Sequence, residues 1–261
     1  MPRFAANIGM MFAEAPFLDR FALAAEAGFE AVEFAFPYET ATPDQVAAAL
    51  RSSGLKQTLF NVAPGDRSKG DRGLAAVPGR EGEFAAALDL SLGYVKAGKV
   101  RAVHLMAGTV KEGADLAEME RAYKANVVKA ADVLAPHGVT VCLEPLNRYS
   151  APGYFLRTLA QAAGYIEELA HPNIKLQFDF FHVQMEEGCV SRKFEEYYKY
   201  TGHIQFAGAP GRHEPDNGEL NYPYLFDLVD AKGYDGYLGA EYVPAGNTLD
   251  GLGWFAPYRP A

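Results

Sequence analysis

Eight short runs rich in β-branched and aromatic residues recur along this chain, and longer Ala-rich stretches of helical period alternate with them. The runs are Phe4 to Ile8, Ala31 to Phe34, Gln57 to Phe60, Ala102 to Met106, Thr140 to Glu144, Ile174 to Asp179, His203 to Ala207 and Tyr237 to Glu241. Amphipathic stretches lie near 17–27, 43–53, 82–97, 115–135, 157–170, 191–200 and 221–231, and a short eighth helix is expected after Asn247. Thr42-Pro43-Asp44 reads as a helix start, with a threonine cap and proline in the first turn. Parallel strands buried on both faces need helices over them, so the pattern predicts an α/β fold, a closed (β/α)8 TIM barrel. The 261 residues, 49% of them hydrophobic, suit one barrel of roughly 200–250 residues, and no linker or low-complexity tract divides them. A single domain over 1–261 is expected.

Charge narrows the partners. With 24 Lys and Arg against 33 Asp and Glu the net charge is −9, which repels phosphate backbones and anionic membranes at long range. The expected partner is a small-molecule substrate, with neither nucleic acid nor membrane. No apolar run approaches the roughly 18 residues of a spanning helix. Cys142 and Cys189 form no CxxC pair, and the first residues have neither a basic n-region nor an apolar h-region. A cytoplasmic location follows as the expectation. Aromatics in loop segments such as Phe36-Pro37-Tyr38 leave room for a homo-oligomer.

In a barrel of this kind the C-terminal strand ends form the active-site face. The last four runs end Val141-Cys142-Leu143-Glu144, Leu176-Gln177-Phe178-Asp179, His203-Ile204-Gln205-Phe206 and Leu238-Gly239-Ala240-Glu241. Three carboxylates and an amide at one mouth repel one another unless a cation compensates them. Oxygen-rich sets of this kind suit a hard or borderline divalent ion, so Mn2+ or Mg2+ is expected, with Co2+ or Ni2+ able to substitute in vitro. Glu144, Asp179, Gln205 and Glu241 are the candidate metal ligands. Glu33 ends the second run and is expected to bind substrate from across the mouth. His182, three residues after Asp179, and Arg212, in the turn-rich loop after Gln205, are the other candidate substrate contacts. Phe12, Phe36 and Trp254 are candidate pocket walls, whereas His137, His171 and His213 are assigned no chemistry. No GxSxG elbow, GxGxxG turn or P-loop is present, which argues against a serine hydrolase, a dinucleotide enzyme or a nucleotide-triphosphate enzyme.

Ordered motifs across the chain extend this reading. They include Val32-Glu33-Phe34 with Phe36-Pro37-Tyr38, Phe60-Asn61 with Ala63-Pro64-Gly65-Asp66, Pro78-Gly79-Arg80-Glu81, Glu144-Pro145-Leu146-Asn147, Asp179 with His182, and His213-Glu214-Pro215 with Gly218-Glu219-Leu220-Asn221-Tyr222. Through them the sequence resembles the hydroxypyruvate isomerase family of the xylose-isomerase-like TIM barrels. Gly208 and the Gly251-Leu252-Gly253-Trp254-Phe255 ending lean toward its 2-oxo-tetronate isomerase branch. The resemblance implies Glu144, Asp179, Gln205 and Glu241 as ligands, Glu144 and Glu241 as the catalytic acid/base pair, and His182 and Arg212 against substrate. It implies an aldose-ketose isomerase of a small 2-oxo acid, moving a proton through a metal-stabilised cis-enediolate. Asn147-Arg148-Tyr149 resembles a run of the ketose 3-epimerases, although Ser150 stands where they carry glutamate. Val243-Pro244 follows Glu241-Tyr242 where the isomerases usually place a lysine or arginine before the proline, which keeps neutral ketoses and 3-epimerisation as the alternative. An endonuclease of the same superfamily would want a His-rich multi-metal cluster and a basic groove, and a sugar-binding barrel would need no clustered acids.

Overall fold

The structure is a computed structural model and describes residues 1–259. Eight parallel strands close into a barrel in chain order. They are β1 (Arg3–Asn7), β2 (Ala31–Phe34), β3 (Lys56–Asn61), β4 (Ala102–His104), β5 (Thr140–Leu143), β6 (Ile174–Asp179), β7 (Thr201–Phe206) and β8 (Tyr237–Ala240). Among the described residues the eight α-helices are α1 (Arg20–Glu26), α2 (Pro43–Ser53), α3 (Glu81–Gly98), α4 (Leu116–Leu134), α5 (Leu159–Leu169), α6 (Phe180–Glu186), α7 (Val190–Tyr197) and α8 (Tyr222–Ala231), with a 3-10 segment over Leu249–Tyr258. No helix of the described residues is long and apolar enough to cross a membrane.

Local chemistry accounts for the helix starts. Thr42 and Gln45 form a reciprocal capping box ahead of Pro43, and Asp115 accepts from the amides of Ala117 and Glu118 to open α4. One helix was not expected. α6 follows β6 without a loop, because Asp179 ends the strand and its side chain also caps the helix by accepting from the Phe181 amide. A seven-residue helix reading Phe-Phe-His-Val-Gln-Met-Glu has too few turns to declare a period.

Most apolar burial lies between the strands and the helix ring, where Phe4, Phe206, Phe226 and Trp254 pack edge to face. Trp254 belongs to that cluster, buried with its indole N–H on the Tyr242 hydroxyl. Inside the barrel, apolar contact shrinks to two small groups, Ala5-Ala31-Tyr237 and Leu59-Ala102-Cys142. Side chains two residues apart on a strand share a face. One step up from Ala5, Ala31, Ala102 and Cys142 therefore stand Asn7, Glu33, His104 and Glu144. Small residues below leave space for polar ones at the mouth.

Candidate active site

Strand register brings the polar residues into a ring. Asn7 pairs with Glu33, Asn61 with His104, and Asp179 with Gln205, while the Glu241 amide donates to the Phe206 carbonyl at 3.0 Å. Glu144 follows β5 directly. Glu144, Asp179 and Gln205 are at most 3% exposed. Glu144, Asp179 and His182 offer ligand atoms all within 4.8 Å of one another.

Burial pushes the Glu144 carboxyl well above the usual range, and the charges of Glu241 and Asp179 push it further. Burial also raises Asp179 and Glu241, against the pull of the Arg212 guanidinium. Arg212 forms an ion pair with Glu241 and lies 3.9 Å from Asp179, and its side chain stacks over Phe181 at 5.0 Å. With all three carboxylates ionised, that one guanidinium leaves two negative charges uncompensated. Glu144 Oε1 and Asp179 Oδ2 are buried without any hydrogen-bond partner. Buried carboxylate oxygens are rarely left so, and the residual charge matches a divalent cation. The residues present fit such an ion.

His182 meets this group as a donor. Its Nδ1 accepts the Asn147 amide at 3.1 Å, so the ring proton sits on Nε2, which lies 3.7 Å from Asp179 Oδ2. Burial pushes its pKa well below the usual histidine range and keeps the ring neutral. A neutral Nε2–H can donate to a substrate oxygen, but while protonated it offers a cation no lone pair.

Glu33 and Gln205 are fully buried within this ring. Glu33 is completely buried, and its oxygens accept from Gln205 Nε2 at 2.6 Å, Asn7 at 3.2 Å and Thr58 at 3.4 Å, with His203 Nε2 at 2.7 Å. Its hydrogen bonds all go to protein groups. Gln205 Oε1 accepts from Gln177 Nε2 at 2.6 Å. Glu33 thus fixes which end of the Gln205 amide points down, and an added Cβ at Gly239 would overlap the Glu33 carboxylate. Asn7 also donates to Glu241 at 3.0 Å, and His104 Nδ1 lies 3.0 Å from Glu144 Oε2.

The sequence reading missed Asn7, His104, Asn147, Gln177 and His203. Period two was the available signal for two of them: Gln177 lies two residues before Asp179, and His203 two before Gln205. His104 ends β4 as the carboxylates end theirs. Asn147 carries no such mark, since its contact depends on α6.

Comparison with known proteins places this architecture. The family model of the xylose isomerase-like TIM barrel matches residues 21–258. The 2-oxo-tetronate isomerase of Cupriavidus necator is 49% identical over 258 residues, covering 99% of each chain. The hydroxypyruvate isomerase of Escherichia coli is 36% identical over 259 residues, covering 99% of this chain and all of its own. The crystal structure of a protein named AP endonuclease, family 2, from Brucella melitensis superposes with a TM-score of 0.96 at 48% identity, covering 100% of both chains. This chain belongs to the xylose isomerase-like TIM barrels and, within them, to the hydroxypyruvate isomerase family, a family of isomerases.

Proposed function

We propose that this chain isomerises a small 2-oxo acid, a 2-oxo-tetronate or hydroxypyruvate, using a divalent cation, Mn2+ or Mg2+. The observation that carries the reading is the pair Glu144 and Glu241, which directly follow β5 and β8 and meet Asp179 in one mouth, in a chain so similar to isomerases named for those substrates. Glu144, Asp179, Gln205 and Glu241 would hold the ion, which when bound supplies positive charge beside the substrate oxygens.

Burial raises the Glu241 carboxyl to about 7 while the Arg212 guanidinium pulls it down, a value that suits this carboxylate to take the carbon-bound proton next to the carbonyl. Glu144, raised by burial and by its acidic neighbours, is suited to carry a proton. The proton leaves the hydroxyl-bearing carbon, giving a cis-enediolate, and returns to the former carbonyl carbon. The hydroxyl proton passes to the former carbonyl oxygen, so hydroxyl and carbonyl exchange places with no net loss of atoms. His182 Nε2–H orients the substrate oxygens, and the buried ring of Asn7, His104 and Glu33 keeps the two glutamates and Gln205 in place.

The test is a panel of hydroxypyruvate, 2-oxo-tetronates and free ketoses, followed by NMR in D2O. Isomerisation of a 2-oxo acid, with label at the carbon adjacent to the original carbonyl or at the carbonyl carbon itself, supports the reading. Turnover of neutral ketoses alone, with inversion at one carbon, replaces it by 3-epimerisation. The Brucella protein is named for a different activity, so the same preparation is assayed on an abasic-site duplex. The net charge of −9 and the single candidate metal group among the described residues argue for no cleavage there.

A further inference from the structure

If the substrate is an acid, some cation has to meet its carboxylate, and Arg212 is already engaged by Glu241 and Asp179. A cleft of about 330 Å³ opens from Glu241 and Asn7 across Phe36 to Arg20 and Arg67. A second, of about 350 Å³, continues past Phe36 and Arg67 to Met106 and Arg72. Both volumes fall in the range of small-molecule sites, roughly 300–1,000 Å³. Arg67 and Phe36 are the wall the two clefts share.

The arginines lining these clefts are not equivalent. Arg20 donates to the carbonyls of Ala15 and Ile8 at 2.8 and 2.9 Å, and Arg72 to the Ser150 carbonyl at 2.9 Å. Arg67 lies over the Phe36 ring at 4.9 Å, and among the described residues its guanidinium makes no ion pair or hydrogen bond. Its loop is nonetheless fixed. Asp66 caps the turn by accepting from the Ser68 amide at 3.0 Å, Asp71 accepts from the Asp66 amide at 2.8 Å, and Arg80 grips Asp71 through two bonds of 2.7 Å. A planar, exposed fork standing on an aromatic ring beside the catalytic mouth is suited to bidentate capture of a carboxylate.

We propose that Arg67 receives the substrate carboxylate, so that the β3–α3 loop is the anion subsite of the enzyme. The inference rests on the 2-oxo-acid reading above. It also supplies what Val243 cannot, a cation near Glu241 that no protein carboxylate has taken.

The experiment compares Arg67→Ala, Arg67→Lys and Arg72→Ala with wild type. It measures KM and kcat on hydroxypyruvate, and competitive inhibition by tartronate, an acid, and by dihydroxyacetone, the neutral counterpart of hydroxypyruvate. A lost charge-assisted pair is worth roughly 10- to 100-fold. Arg67→Ala should raise the hydroxypyruvate KM and the tartronate Ki by that factor, and shift the dihydroxyacetone Ki at least about tenfold less. Arg67→Lys should recover part of the loss. Equal weakening of acid and neutral ligands, an unchanged KM, or an acid-selective loss in Arg72→Ala alone overturns the assignment while leaving the isomerase reading intact. Wild-type protein that turns over no 2-oxo acid overturns both.

Discussion

Glu144 lies against a neutral histidine, whereas Glu241 faces a guanidinium. Burial pushes the His104 pKa down to about 3, and neighbouring His203 adds to the shift, so above that pH the ring whose Nδ1 lies 3.0 Å from Glu144 Oε2 carries no charge. The two glutamates are therefore chemically distinct at the start of a turnover, and neither role passes to an amide. Glu144→Gln and Glu241→Gln should each lower kcat by at least about 100-fold while the far-ultraviolet spectrum and cooperative unfolding persist. Near wild-type turnover in either variant would reduce that residue to a ligand. Glu33 differs from both, because its hydrogen bonds all end on protein. Glu33→Gln keeps the shape but offers an amide N–H where His203 Nε2 and Gln205 Nε2 need acceptors. Its expected signature is weakened metal binding by titration calorimetry, roughly 10- to 100-fold, as for other partners that orient a ligand from behind. Unchanged metal affinity would show that Gln205 orients itself.

At the scale of elements, α6 ties the site together and is also where the sequence reading was weakest. β2, β6 and α2 stand where the residue pattern placed them, because alternation of apolar positions and the Thr42-Pro43 cap are local signals. α6 depends on Asp179 serving two elements at once, and no window of sequence shows that. Its last residue, Glu186, accepts from Arg148 at 3.0 Å and Arg157 at 2.5 Å, clamping the helix to the loop that carries Asn147. Burial raises the Glu186 pKa, but the bonds from Arg148 and Arg157 outweigh it and bring it down from 4.5 to about 2. A carboxyl depressed on folding stabilises above its unfolded value and loses that contribution as pH falls toward the folded one. Because the two arginines are half-exposed, screening leaves about 1–2 kcal/mol. Glu186→Gln should lower Tm by about 3–6 °C at pH 7, and the gap from wild type should narrow as pH falls from 5 toward 3. A gap that stays constant to pH 3 would mean the clamp works by shape alone. Candidate ligands were legible because strand ends repeat; the ring behind them became legible only with the register that pairs Asn7 with Glu33 and Asp179 with Gln205.

Across the whole molecule, the barrel has replaced the usual apolar filling of its upper lumen with acids, amides and histidines, a set whose charge a divalent cation would balance. Without it, Glu144 and Asp179 retain buried oxygens with no partner, and burial favours their protonated forms. Binding to the folded state alone stabilises by about 2.7 kcal/mol at a free concentration 100 times Kd. For a chain of this length that corresponds to a Tm increase of roughly 5–10 °C. Protein stripped with a chelator should therefore melt lower than protein returned to Mn2+ or Mg2+, and Asp179→Asn should lose most of that difference. The gap should also shrink at pH 5, where protons compete with the ion for the same oxygens. Activity and Tm should recover together on titration with either metal, since one site governs both. Full turnover after metal removal verified by elemental analysis, or a Tm indifferent to the ion in wild type, would show that Arg212 and retained protons suffice to balance the mouth.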